Sequence, residues 1–331
     1  MQTTNINRIP DEPYLDSIAK VNFSPVFIMG DHRSGTTLLY KLLAATKCFN
    51  FVKTYHIIKY NEILFNYINK TENQVRQELE TLFTSLGISD RVFDKVTVNP
   101  DLPEEYGFIL KNIAGDESFI TSKNLPVLQQ LCRKIQFVSD PDKPLLLKNP
   151  WDFPRFMYVK SIFPEAKFIF IHRHPIPVIN SKLKVVRTSL SEWNAYTGLI
   201  SQRYIKVFNN PVQRFFYRML YSKYFNLGLN QVTKQAVQST TYFLENIDSL
   251  PKTNYISVRY EDLCNEPKTT ILKIVEFLEL ELKATLDYEN SIEPRPLKLL
   301  PEVERKYDEI CQKLKPYLDY QGYQTLSEPQ V

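Results

Sequence analysis

Residues 25–43 read PVFIMGDHRSGTTLLYKLL. An apolar run of strand length meets a short polar turn bounded by Gly30 and Gly35, and a helical pattern follows. Strand, glycine-bounded turn and helix outline a loop that wraps an anion with backbone N–H groups at a helix N-terminus. In the Walker A form of such a loop a Lys follows the second glycine. Here Thr36 and Thr37 stand in its place, and the cation comes earlier, as Arg33. Arg33, Ser34, Gly35, Thr36 and Thr37 are therefore candidate phosphate-binding residues. His32 lies in the same turn, placed to touch a phosphate.

Outward from this unit, three further apolar runs read as buried parallel strands: PLLLK at 144–148, KFIFIH at 167–172 and NYISVRY at 254–260. Helical patterns follow the four strands at Thr36–Ala45, Pro154–Ile162, Pro177–Val186 and Thr269–Leu278. Strand–turn–helix repetition predicts an α/β fold, a P-loop-like core with a mostly parallel β-sheet flanked by helices. The chain reads as a single domain over residues 1–331, with helical insertions at about 50–135 and 185–250. These insertions carry most of the 20 Tyr and 21 Phe, and helical spacing assigns the aromatic stripes mainly to the core. The stretch 214–230 also carries Arg214, Arg218 and Lys223, which leaves contact with a membrane surface open.

The strand KFIFIHRHP decides between uses of the loop. A magnesium-dependent nucleotide hydrolase needs an acidic residue at the end of a second core strand, whereas this one ends in His172, Arg173 and His174. That end reads as a second anion site. The two together predict a nucleotide with phosphates at two places and no obligatory metal. A net charge of +4 suits an anionic ligand and is too small to indicate nucleic acid. Four scattered cysteines with no CxxC pair, no signal-peptide pattern and no apolar run of spanning length give the expectation of a soluble, cytoplasmic chain.

These residues resemble the superfamily of sulfotransferases that use 3′-phosphoadenosine 5′-phosphosulfate (PAPS), in the branch of the tyrosylprotein enzymes and many bacterial small-molecule and glycan sulfotransferases. Arg33-Ser34-Gly35-Thr36-Thr37 is similar to that family's 5′-phosphosulfate loop, and Arg173 followed by Ser181 to its 3′-phosphate motif. LLLKNPWDFPRFMYVKSIFPEAKFIFIHRHP and VRYEDLCNEPKTTILKIVEFLEL resemble further family segments, so the likeness covers about 24–45 and 144–280. It implies transfer of a sulfuryl group to a hydroxyl of a small-molecule, lipid or glycan acceptor, with adenosine 3′,5′-bisphosphate (PAP) as product. It implies that Arg33 and Lys148 stabilise charge on the transferring group and its leaving oxygen. Tyr242 falls where the family carries a Tyr near the adenine. The loop after the last matched helix offers Ser291, Arg295 and Lys298 to the nucleotide.

The base is where the pattern departs. The tyrosylprotein branch places a Glu downstream of the loop, but FVKTYHII here has no carboxylate. His56 is the candidate base, since it titrates near neutrality, and Glu62 is held in reserve. The alternatives are a P-loop nucleotide kinase or hydrolase, and a catalytically degenerate nucleotide-binding module.

Overall fold

A computed structural model of the chain describes residues 9–93, 95–115, 117–284, 288, 292 and 297–324. Its core is a five-stranded sheet: β1 (Pro25–Met29), β2 (Asn50–Phe51), β3 (Leu145–Lys148), β4 (Lys167–His172) and β5 (Tyr255–Arg259). The spatial order is β2-β3-β1-β4-β5, and every pairing is parallel. The four strands read from the sequence are present within a residue or two. The two-residue β2 is the addition, too short to leave a pattern.

Parallel strands covered on both faces have no polar side, which is why these runs are continuously apolar. Alternation sorts them all the same. Val26, Ile28, Leu146, Ile169 and Ile171 enter one buried cluster, against the helix Thr36–Ala45. Phe27, Leu145, Leu147, Phe168 and Phe170 enter the other and larger one. There Phe27, Phe168 and Phe170 form a stacked aromatic row across neighbouring strands, with ring centroids 5.8 and 6.1 Å apart. Such cross-strand pairs fix register.

The helices after β1 and β4 match expectation, Thr36–Ala45 to the residue and the other extended to Pro175–Ser191. The insertion between β2 and β3 is helical, with Glu72–Ser85, Gly107–Ala114 and Leu125–Phe137 as its longer members. Of its aromatic residues Tyr55, Tyr60, Phe83 and Tyr106 are core, while Phe65 and Tyr67 are exposed. The second insertion is different. Its helices Gln202–Asn209 and Pro211–Leu220 contain no buried residue.

Chain order places the site. From β1 the connections run first toward β3 and β2, then cross to β4 and β5 on the other side. The reversal leaves a crevice above the carboxyl end of β1, where open parallel sheets bind ligands. The turn of residues 30–35 sits there.

Candidate active site

The turn after β1 depends on two glycines. A Cβ on Gly30 would lie 2.7 Å from the Ile171 carbonyl oxygen of β4. Gly35 has φ +98°, caps the helix Thr36–Ala45, and would put a Cβ 2.2 Å from the Tyr260 ring. Arg33 also sits in the left-handed region, at φ 72°, a conformation that costs a non-glycine residue about 1–3 kcal/mol. Inside the turn Ser34 is 3% exposed, and its Oγ has no hydrogen-bond partner among the described residues. A buried hydroxyl without a partner beside free helix N-terminal amides is suited to an anion's oxygen.

The two motifs read as anion sites meet. Arg33 Nε donates to Ser181 Oγ at 3.0 Å, and Arg173 Nη1 donates to the Arg33 carbonyl at 3.1 Å. The Arg173 guanidinium lies 4.1 Å from the centroid of Tyr260, the ring that also walls Gly35. Lys182 is held by Asp31, 2.6 Å from both of its oxygens. Asp31, Ser34, Arg173, Phe153, Thr240 and Tyr317 line a small cleft at this place.

The end of β4 corrects one expectation. Of His172, Arg173 and His174, only Arg173 brings charge. The His172 ring is buried, with Nδ1 2.9 Å from Tyr317 Oη, and burial lowers its pKa to about 3. His174 caps the helix Pro175–Ser191 through Nδ1, and burial takes its pKa to about 4. Both are neutral supports of the fold.

Across β1 stands a buried ion pair that the sequence reading only half found. Lys148 ends β3, is fully buried, and places Nζ 2.5 Å from Glu105 Oε1. Burial pulls the Glu105 pKa upward, but Lys148, His32 and Arg91 outweigh it and hold the carboxyl below the usual range. Beside it the fully buried Glu104 accepts from Tyr196 Oη at 2.5 Å and lies 3.4 Å from Arg91. His32 feels Glu105, Lys148, Asp31 and Lys182 together, and stands edge-on to Trp151 at 4.6 Å. Loss of solvent lowers its pKa to about 4, so it is neutral at physiological pH. It interacts both with Asp31, which lines the cleft, and with the Lys148–Glu105 pair.

The segment after β3 is fastened from below. Asn149 donates to Ser118 O at 2.8 Å and to Asp152 at 2.6 Å, while Asp152 also accepts from Tyr106 Oη and Ile120 N–H. Burial raises the Asp152 pKa to about 6 against those hydrogen bonds.

Other candidates stand elsewhere. His56 is 2% exposed, its Nδ1 accepts the Lys53 N–H at 3.1 Å, and its charged neighbours are Lys53, Arg76 and Asp101. Burial first, then those two cations, hold its pKa well below the ordinary value. None of these neighbours belongs to the loop, so the structure does not join His56 to Arg33 and Lys148. Glu62 pairs with Lys59 at the surface. Tyr242 packs edge-on to Phe156 at 5.4 Å, and Lys298 is an exposed residue whose carbonyl caps Asn180 and Lys184. Ser291 and Arg295 lie outside the described residues.

Glu105 did leave a signal. PEEYGFIL sets two adjacent carboxylates before an apolar helix, and LLLK ends an apolar strand in a cation. A charge in such company needs a buried partner. Nothing in the spacing, 43 residues, says that each is the other's.

A family model described as "Sulfotransferase family" matches residues 25–284. No curated protein matches the chain. Among solved structures it is similar to sulfotransferase STF9 from Mycobacterium avium, at 14% identity and TM-score 0.63, covering 94% of this chain and 80% of that one. It is similar also to sulfotransferase STF1 from Mycobacterium tuberculosis, at 12% identity and TM-score 0.58, covering 93% and 81%. At these identities the likeness establishes a common fold.

Proposed function

Since the chain belongs to the sulfotransferase family, we propose that this enzyme moves a sulfuryl group from PAPS to a hydroxyl of a small-molecule, lipid or glycan acceptor in the cytoplasm. The observation that carries the donor half is that Arg33 bonds to both Ser181 and Arg173, beside a cleft that Ser34 and Arg173 line. The residues fit such a nucleotide: the Ser34 Oγ has no partner among the described residues, and Gly35, at φ +98°, lets the turn present its backbone to phosphate oxygens. Bound there, PAPS supplies the sulfuryl group and a leaving oxygen on its 5′-phosphate.

The chain's own groups do the rest. Arg173 and Ser181 hold the 3′-phosphate through charge-assisted hydrogen bonds. Arg33 and the first amides of the helix Thr36–Ala45 stabilise the negative charge that grows on the leaving oxygen. Lys148, brought to the end of β3, neutralises the transferring group. Glu105 replaces His56 as the base of this reading: it is ionised at neutral pH and held beside Lys148, and it takes the acceptor's hydroxyl proton as the new oxygen–sulfur bond forms. His32, neutral, has an imidazole nitrogen able to orient that hydroxyl.

Calorimetry of the full chain with PAP, and separately with ATP–magnesium, tests the donor assignment. PAP is expected to bind without added metal. Loss of a charged hydrogen-bonding partner is worth about 1.5–3 kcal/mol, so Arg173→Ala should weaken PAP roughly 10- to 150-fold. Binding of ATP–magnesium alone would overturn the reading.

A further inference from the structure

From Trp193 to Leu244 the chain has no Asp or Glu, yet it carries Arg203, Lys206, Arg214, Arg218, Lys223 and Lys234. Those six charges exceed the +4 of the whole chain, so the remainder is net negative. Basic character is therefore concentrated in one insertion rather than spread over the surface.

The same insertion turns its apolar residues outward. In the helix Pro211–Leu220, Val212, Phe215, Phe216 and Met219 recur at i, i+3, i+4 and i+7, one continuous stripe. Their exposures are 64, 63, 58 and 44%. The half-buried residues, Arg214, Tyr217 and Leu220, lie on the side toward the protein. Directly after this helix come Tyr224, Phe225 and Leu227, at 76, 61 and 50% exposed. Exposed single apolar residues are ordinary, but seven along one helix and its following turn form a patch that water does not favour. Arg218, Lys223, Arg203 and Lys206 are exposed around it.

The patch is rigidly mounted. Arg187 donates to the Tyr221 carbonyl at 2.7 Å and pairs with Glu302 at 2.5 Å, which ties the helix end to Pro175–Ser191. Asn112 donates to Ile200 O at 2.8 Å and accepts from Gln202 N–H at 3.1 Å, tying the preceding helix to Gly107–Ala114. Neither tie uses a residue of the outward stripe.

We propose that the helix Pro211–Leu220 and the turn to Leu227 form a docking surface for an anionic lipid bilayer. Its aromatic stripe enters the interface, and its basic rim meets the headgroups. Charge complementarity selects the occupant, because a negatively charged surface matches a stretch, Trp193 to Leu244, that carries six cations and no carboxylate. The aliphatic part of the stripe selects between anionic surfaces: Val212 and Met219 gain nothing from stacking on nucleic-acid bases, and gain burial in a bilayer interface. The two signals of stable peripheral binding, apolar insertion and a polybasic patch, are both present.

Co-sedimentation of the full chain with vesicles tests this without donor or acceptor, so its outcome is independent of the sulfotransfer reading. Phosphatidylcholine vesicles containing phosphatidylglycerol are expected to pellet the protein, and phosphatidylcholine alone to leave it in solution. Raising salt from about 0.1 to about 0.5 M should release it, since exposed charges are screened over that range. Each basic residue at such a surface contributes ~1 kcal/mol, about fivefold in partitioning. Arg218→Gln with Lys223→Gln should therefore weaken binding about 25-fold, and Phe215→Ser with Phe216→Ser should abolish it. Circular dichroism is expected to be unchanged, since all four side chains are exposed. Equal binding to neutral vesicles, no binding to either, or a solution dimer dispersed by the same substitutions would overturn the proposal.

Discussion

The proposed donor half takes Arg33, Ser34 and Gly35 from the turn after β1, Arg173 from the end of β4 and Ser181 from the helix Pro175–Ser191, whereas the proposed acceptor half takes Glu105 from a loop, Lys148 from a strand end and His32 from the first turn. In the first, as proposed, backbone amides and glycines with no side chain carry much of the contact, and neighbouring residues supply it together. The second rests on a buried pair of opposite charges, Lys148 and Glu105. A contiguous device can be read as a motif. A pair joined through the fold cannot, because each charge beside its apolar run asks for a buried partner without saying which residue that is.

The largest effect should come from the acceptor half. Glu105→Gln keeps size and hydrogen-bonding shape but removes the proton acceptor, and kcat should fall roughly 10²- to 10⁴-fold. PAP affinity, measured by calorimetry, should hold. A matching loss of PAP affinity would dissolve the division into halves. His56→Asn retains an acceptor for the Lys53 N–H and is expected to leave kcat near the parent value. Its failure to do so would restore histidine as the base.

On the donor side, Gly35→Ala forces a side chain into the left-handed region and against the Tyr260 ring. Backbone strain alone should cost about 1–3 kcal/mol in a urea titration, with PAP binding reduced. Adding Tyr260→Ala should return part of the stability. No return would show that the ring does not wall the turn.

The pH profile sharpens the assignment further. Glu105 is held below the usual carboxylate range, so activity should rise with pH along an acid limb at or below about 4.3, the ordinary Glu value. A limb near 6.5 would indicate a histidine of unperturbed pKa.

The last prediction reads stability, not activity, and concerns the support of the segment after Lys148. Asp152 has a folded pKa of about 6, above the ~3.9 of an unfolded chain, so the native state binds its proton more tightly. Its contribution is fully present below about pH 4 and is lost as pH rises to about 6, a change of about 3 kcal/mol. Asp152→Asn should flatten urea midpoints across that window, and an unchanged slope would remove Asp152 from the account.

The sheet was legible because burial on both faces leaves uninterrupted apolar runs, and the donor turn because glycine, hydroxyl and Arg stand side by side. The basic reading of His172 and His174 failed for a different reason: residue type does not report burial, and a ring packed against Tyr317 or used as a helix cap carries no charge. His56 resembled a base in spacing yet lies with Lys53, Arg76 and Asp101. The insertions divide likewise. Aromatic spacing found the buried helices of the first, while the exposed stripe at Val212, Phe215, Phe216 and Met219 has the same periodicity with the opposite orientation. Period says that a face exists. Only the fold says which way it points.

The Tyr260 ring sits over Gly35 and beneath the Arg173 guanidinium, so a residue late in the chain completes a turn made near its beginning. On a ribosome, the turn of residues 30–35 therefore lacks its wall until Tyr260 has been joined and has cleared the exit tunnel. A nascent chain stopped short of Tyr260 would carry the turn without that wall, so the turn is completed late in synthesis.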